Sequence, residues 1–446
     1  MSVPARRPHD LVIFGATGFT GAFVALELAR LLTSQSPLFP TGLRVGLGAR
    51  SSSRLAALLD RLASEVPGFD RGHFTPILAD VGDEASLVAM CEGTRLLLNC
   101  VGPYRLWGEP VVKACLEGGC HYLDITGEPE FMERAELKFH EEARSKGLFI
   151  VPCSAFDSIP ADLGVAFAVE ALAQHCSGAS AASVASYLTL HTGPSGFGGH
   201  YATFQSAVLG FGSVAALKRT RREFEARYPH LARIPLPGPA PPRRGAYFWS
   251  GTHWCLPFIG SDASVVRRSQ RALHGERLLA AAAAGEGAGG AALPLAGLPL
   301  PVHYEAFFTV ASTWNLFLTV LFGGALSLLA PFEWGRRLLL GAPGLFSGGI
   351  FSHEGPSQQQ LQETSFSMTF VVRGFSGGQG AAGSGGAPDV EAKCCVRGPE
   401  PGYVATPRLL LGAAATLLEE RARPAGAAAG GGGGGRPPGA ALAGGS

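Results

Sequence analysis

The chain has 446 residues, 36 basic against 35 acidic, and a formal net charge of +1. That length is ample for two or three domains, while the near-neutral balance excludes the strongly basic character of a nucleic-acid binder. Nine cysteines, an odd number with no CxxC pair, argue against a disulfide framework or zinc module. No signal-peptide pattern precedes the first apolar run, so an intracellular setting is expected.

Leu11-Val12-Ile13-Phe14 reads as a strand buried on both faces. It runs into Gly15, Thr17, Gly18, Phe19, Thr20 and Gly21, then into a helical stretch from Ala22 to Arg30. Strand, glycine loop and helix in that order are the context of a dinucleotide-binding turn: Gly15 for the bend, Gly18 for close approach of a pyrophosphate, Gly21 for packing of helix on strand. The spacing is GxxGxxG. A second strand, Leu43 to Ala49, ends at Arg50 and Ser51, where an NAD site would usually place a carboxylate for the ribose 2′-hydroxyl. A guanidinium with hydroxyls suits a 2′-phosphate, so NADP is expected in preference to NAD.

Further strands are expected at Phe74–Asp80, Leu96–Tyr104, His121–Ile125 and Leu148–Pro152, with helices between them such as Pro110–Gly118 and Pro129–Lys146. This alternation implies a Rossmann-type doubly wound parallel sheet. Asp80 is placed to meet the adenine edge, and Cys100, Val101 and Gly102, ending the fourth strand, complete the candidate cofactor set. No tyrosine is followed by lysine four residues on, which excludes the short-chain reductase donor. Tyr104, Asp124 and Asp157 are the catalytic candidates, because open parallel sheets bind ligands at the carboxyl ends of their strands. Each is also explained by a loop or capping role, Asp157-Ser158-Ile159-Pro160 reading as a helix start. No metal-ligand cluster is evident.

The phrases GATGFTG (15–21), GARS (48–51), NCVGPYRLWGEPVVKAC (99–115), YLDITGE (122–128), FDSIPADLG (156–164) and GPEPGYVATP (398–407) together resemble the saccharopine dehydrogenase-like oxidoreductases. The resemblance extends from residue 10 to about 418. It implies an α/β fold: a Rossmann domain, and a second, mixed-sheet α/β domain that holds the substrate. Members include trans-acting enoyl reductases of glycolipid synthesis, which implies that a lipid-like substrate is within the family's range. The expected organisation is 1–155 for the nucleotide domain, 156–375 for the second domain, 389–420 returning to the first, and a disordered Gly/Ala tail over 421–446. Ala280–Gly297 and Gly374–Pro388 are expected to be unstructured.

From Ala306 to Phe332 no residue is charged. That length could span a bilayer, but a crossing would place the halves of one folded body on opposite sides. A membrane-associating insertion dipping into one leaflet, as on a lipid-droplet monolayer, is therefore expected, with a buried core helix as the plain alternative. Between Lys218 and Arg277 twelve basic residues face four acidic ones, net +8, which would suit anionic head groups. The expected activity is NADP(H)-dependent oxidoreduction of a lipid-like substrate at a lipid-droplet surface, with a mitochondrial or other membrane second. The rival is a cofactor-binding scaffold without turnover. A homodimer is compatible with either, and no nucleic-acid partner is expected.

Overall fold

The computed structural model describes residues 7–242, 244–285, 301–377, 386–422 and 434–435. Two compact units divide them, one running to Phe156 and resuming at Gly402, the other running from Asp157 to Pro401.

In the first unit β1 (His9–Phe14), β2 (Val45–Ala49), β3 (Phe74–Leu78), β4 (Thr94–Asn99), β5 (His121–Asp124) and β6 (Phe149–Val151) form one parallel sheet with Gly434–Gly435. From one edge the order is Gly434–Gly435, β6, β5, β4, β1, β2, β3, so the chain reverses direction across the sheet beside β1. The helices are α1 (Phe19–Thr33), α2 (Ser52–Glu65), α3 (Glu84–Glu92), α4 (Tyr104–Gly118) and α5 (Pro129–Ser145). Alternate residues Val12 and Phe14 of β1 join Leu97, Val111, Tyr122 and Phe131 in one core layer. Their neighbours Leu11 and Ile13, which a strand turns to the opposite face, are equally buried, so both faces of β1 are covered. Helix α4 starts six residues before the expected Pro110, which lies inside it. The reason is a distant cap: the Glu128 carboxylate accepts from the amides of Tyr104 and Arg105 at 2.9 and 3.1 Å, a bond that local sequence does not announce.

In the second unit α6 (Ile159–His175) leads into β7 (Ser180–His191), followed by β8 (Gly199–His200). Then come α7 (Tyr201–Phe211), α8 (Val214–Arg227), α9 (Pro229–Ala232), β9 (Phe248–Trp249), β10 (Trp254–Pro257) and α10 (Asp262–Gly285). The chain resumes as β11 (His303–Val310), α11 (Thr313–Leu329), α12 (Glu333–Gly341), α13 (Pro343–Phe346) and β12 (Phe351–Ser352). It ends the unit with α14 (Gln358–Glu363), β13 (Ser365–Phe375) and β14 (Val390–Pro399). A mixed sheet runs in the order β14, β13, β7, β11, β10, β9. Phe366, Met368, Phe370 and Val372 are the buried alternate residues of β13.

Three expectations are corrected here. The uncharged run is not one insertion: Ala306–Val310 is the end of β11, paired with both β7 and β10, and only Thr313–Leu329 is helical. Its period changes from two to 3.6 at Ala311–Ser312, where Ser312 caps the helix. Residues 389–399, expected with the first unit, belong to the second, since β14 pairs with β13 along its whole length. Ala280–Gly285 continues α10, and Gly374–Phe375 completes β13. The rest of the low-complexity stretch after Gly285, residues 378–385 and, apart from Gly434–Gly435, the tail beyond Ala422 lie outside the described residues.

Candidate dinucleotide site

The loop after β1 is closed by its own backbone. Gly15 donates its amide to Gly48 O at 2.8 Å, and Gly18 donates to Gly15 O at 2.9 Å. Gly15 holds φ +82°, a conformation that glycine adopts without strain, and a β-carbon there would lie 2.7 Å from Val101 Cγ2. A β-carbon on Gly21 would lie 2.2 Å from Gly15 O. The three glycines thus let α1 start hard against the end of β1. Gly18 is the N-cap of α1, with no side-chain cap and no acid in the first turn. A helix start left this way presents amides and the positive end of its dipole to an anion. Thr17 and Thr20 add hydroxyls on the same turn, and Cys100, Val101 and Gly102 follow β4 beside it.

Arg50 stands at the end of β2, exposed. Ser51 caps α2, its hydroxyl accepting from the Arg54 amide at 3.3 Å and lying 3.0 Å from Ser53 Oγ. Asp80 follows β3 and accepts from the Gly82 amide at 2.9 Å, which shapes its own turn. These residues fit a phosphorylated dinucleotide: a bare helix start for the pyrophosphate, and a guanidinium with hydroxyls where a 2′-phosphate would lie.

Next to the loop is a buried polar chain. The Tyr104 hydroxyl donates to Asn99 O at 2.8 Å. Asn99 Nδ2 donates to the Tyr122 hydroxyl at 3.1 Å, which donates to Asp124 Oδ2 at 2.7 Å. Asp124 Oδ1 accepts from the amides of Thr126 and Cys153, both at 2.9 Å. Burial pushes the Asp124 carboxyl up to about 7, although those two amides and the Tyr122 hydroxyl favour its charged form. Burial raises the Tyr104 hydroxyl well above its ordinary range, and burial with the Asp124 charge pushes the Cys100 thiol up to about 12.

Tyr104 and Asp124 are therefore brought together, through Asn99 and Tyr122. Both are buried, at 5% and 0% exposure, so they brace the ends of β4 and β5 rather than face solvent. Asp157 lies in the other unit, where burial pushes its carboxyl up to about 6; Ser158, the N-cap position of α6, bonds Ser261 instead of the helix. Asn99, Tyr122, Glu128 and Cys153 carry no local signal of these roles, because most of their partners lie on other elements.

A further aromatic group closes the outer side of α1. Tyr403 packs edge-on against Phe19 at 4.9 Å and against Phe23 at 5.6 Å. It comes from the returning segment, which continues as the closing helix Thr406–Ala422.

Comparison with known proteins decides the family. Residues 11–151 match the saccharopine dehydrogenase NADP binding domain. The chain is 39% identical over 416 residues to the saccharopine dehydrogenase-like oxidoreductase of Mus musculus, covering 92% of this chain and 88% of that protein. The chain belongs to the saccharopine dehydrogenase-like oxidoreductases. Its first unit is an NADP-binding domain, and the expected α/β fold and oxidoreductase class hold. It is also 32% identical over 419 residues to the "Lipid droplet localized protein" of Caenorhabditis elegans, covering 91% of this chain and 88% of that one. A shorter match, 36% identity over 162 residues and 36% of each chain, is to the trans-acting enoyl reductase of Mycobacterium bovis.

Proposed function

We propose that this oxidoreductase acts on an apolar, lipid-like substrate at a lipid surface, with NADP(H) held by Gly15, Thr17, Gly18, Phe19, Thr20, Gly21, Arg50, Ser51 and the turn after β4. The observation that carries the cofactor half is the uncapped, acid-free start of α1, pressed onto the end of β1 by Gly15 and Gly21. The chemistry supplied with the cofactor bound is hydride exchange with a substrate carbon. The chain's own part is to orient. Asn99 holds the Val101 amide and is itself braced by Tyr104 and, through Tyr122, by Asp124, while Glu128 fixes the start of α4. The relative named for lipid droplets and the enoyl reductase support the lipid half.

Titration of the purified protein with NADPH and NADH, followed by fluorescence, tests the cofactor assignment. NADPH is expected to bind at least tenfold tighter, and Arg50→Glu to erase that preference; equal or absent binding by the unaltered protein would refute it. Consumption of NADPH in the presence of an α,β-unsaturated acyl lipid tests the substrate class. Binding without turnover against any lipid extract would leave only the scaffold reading.

A further inference from the structure

Large exposed apolar side chains are not spread evenly. Of the twenty-three among the described residues, eleven fall between Trp314 and Ile350. Trp314, Phe317, Leu321 and Leu328 stand out from α11 at 65, 55, 58 and 73% exposure, and Phe332, Trp334 and Leu345 continue the patch along α12 and α13. The element beneath is folded rather than frayed. Leu326, Ala330 and Leu339 turn inward onto Phe204 and Val208 of α7 as a small core of their own. The outer face is thus held out by a packed support. A soluble surface tolerates scattered apolar residues, but a concentration of this kind within 37 consecutive residues marks an interaction site.

The hydrogen bonding of α11 indicates what covers it. The Thr319 hydroxyl donates to Asn315 O, and the Ser327 hydroxyl donates to Gly323 O, both at 2.7 Å. Thr313 Oγ1 accepts from the Trp254 indole at 3.3 Å, and Ser312 caps the first turn. The hydroxyls of the helix are satisfied within the chain, as a medium without hydrogen-bond partners demands. A protein partner would ordinarily exchange about one hydrogen bond per 100–200 Å² of interface, and this face has little beyond the Asn315 amide to offer. Aromatic pairs stand at the two ends of α11, Trp314 stacked on Phe317 and Phe332 stacked on Trp334, the side chains that favour the boundary between head groups and acyl chains. Seventeen residues make a helix of about 25 Å, short of the roughly 30 Å hydrocarbon core. Among the described residues no helix is long and apolar enough to cross a membrane.

Charge completes the picture. Arg336 donates to Ala330 O and Pro331 O at the turn after α11, and the exposed Arg337 pairs with the exposed Glu333 at 2.6 Å. Gly212, just before α8, packs against Ala330 O and Arg336. The exposed Lys218, Arg219 and Arg222, against exposed Glu223 and Glu225, lie on the helix that starts from this corner, a basic excess that lipid phosphates would attract.

We infer that α11, α12 and α13 form an in-plane anchor that embeds Trp314, Phe317, Leu321, Leu328 and Trp334 in one leaflet of an anionic phospholipid surface. This deepens the surface half of the function proposed above and rests on that half alone. The experiment is flotation of the full-length protein with phosphatidylcholine vesicles, with and without phosphatidylserine, and with triolein droplets coated by the same lipids. The protein is expected to co-float with the serine-containing surfaces, and less with phosphatidylcholine alone. The triple variant Phe317→Asp, Leu321→Asp, Leu328→Asp is expected to lose roughly tenfold or more of that partitioning. Its thermal transition and NADPH affinity should not change, since these side chains lie outside the core; Leu38→Asp, exposed in the first unit, should float like the parent. Brominated phospholipid should quench a share of the tryptophan emission that Trp314→Phe removes.

The inference is overturned if the parent stays in the aqueous fraction or the triple variant floats as the parent does. It is equally overturned if the patch instead drives a dimer without lipid that the triple variant abolishes. Lost flotation with NADPH binding intact leaves the redox reading standing. Flotation without NADPH binding sinks the redox reading and leaves the anchor.

Discussion

Asp124 shows how a single side chain couples the site to pH. Burial pushes its carboxyl up to about 7 in the folded protein, against an ordinary 3.8. Between those values the folded state binds the proton and the unfolded state does not, so stability is full below about pH 4 and declines as pH rises to about 7. The decline attributable to this group is at most about 4 kcal/mol. Asp124→Asn is expected to flatten that part of the profile in denaturant titrations at several pH values. At the glycine turn, Gly21→Ala would drive a β-carbon into Gly15 O; the expected result is NADPH affinity lowered more than tenfold with a lower thermal midpoint. Tyr104 and Asp124 were legible in the sequence because they follow apolar runs at strand ends. Their links through Asn99 and Tyr122 were not, since hydrogen bonds between strands leave no local pattern.

Elements were legible where one pattern ran unbroken. The strand–loop–helix of β1 and α1 is of this kind, and the whole parallel sheet follows from the alternation it begins. Boundaries failed where the deciding contact is distant. Glu128 caps α4 from 24 residues away, and the uncharged run concealed a strand end and a helix with different partners. The packing of α6 on its sheet gives a sharp test of the second unit. A β-carbon on Gly164 would lie 2.1 Å from the Phe370 ring, which is fully buried. Gly164→Ala should therefore destabilise the protein by about 1–3 kcal/mol, read as a lower midpoint in urea. Phe370→Leu in the same background should recover part of the loss, since a smaller side chain relieves the overlap.

At the scale of the molecule, the family, the parallel character of its first sheet and the return of the chain to the first unit could be read from the sequence, but the point of return, Gly402 rather than 389, could not. Val390–Pro399 and Thr406–Ala422 are only a few residues apart and belong to different units, because the first segment alternates in burial and the second is a helix with Leu410, Leu411 and Leu417 buried. In the first unit Tyr403 seats against Phe19 and Phe23, Arg408 bonds Glu27 at 3.1 Å, and Thr406 Oγ1 accepts from the Phe156 amide at 3.4 Å. The amino-terminal body thus lacks one wall until Gly402–Ala422 have been joined. During synthesis the nucleotide cradle must wait, half-built, while the whole second unit is made. A nascent chain stalled at residue 400 should be cut by protease within its first 156 residues, and NADPH should confer protection only once the ribosome has released the closing helix.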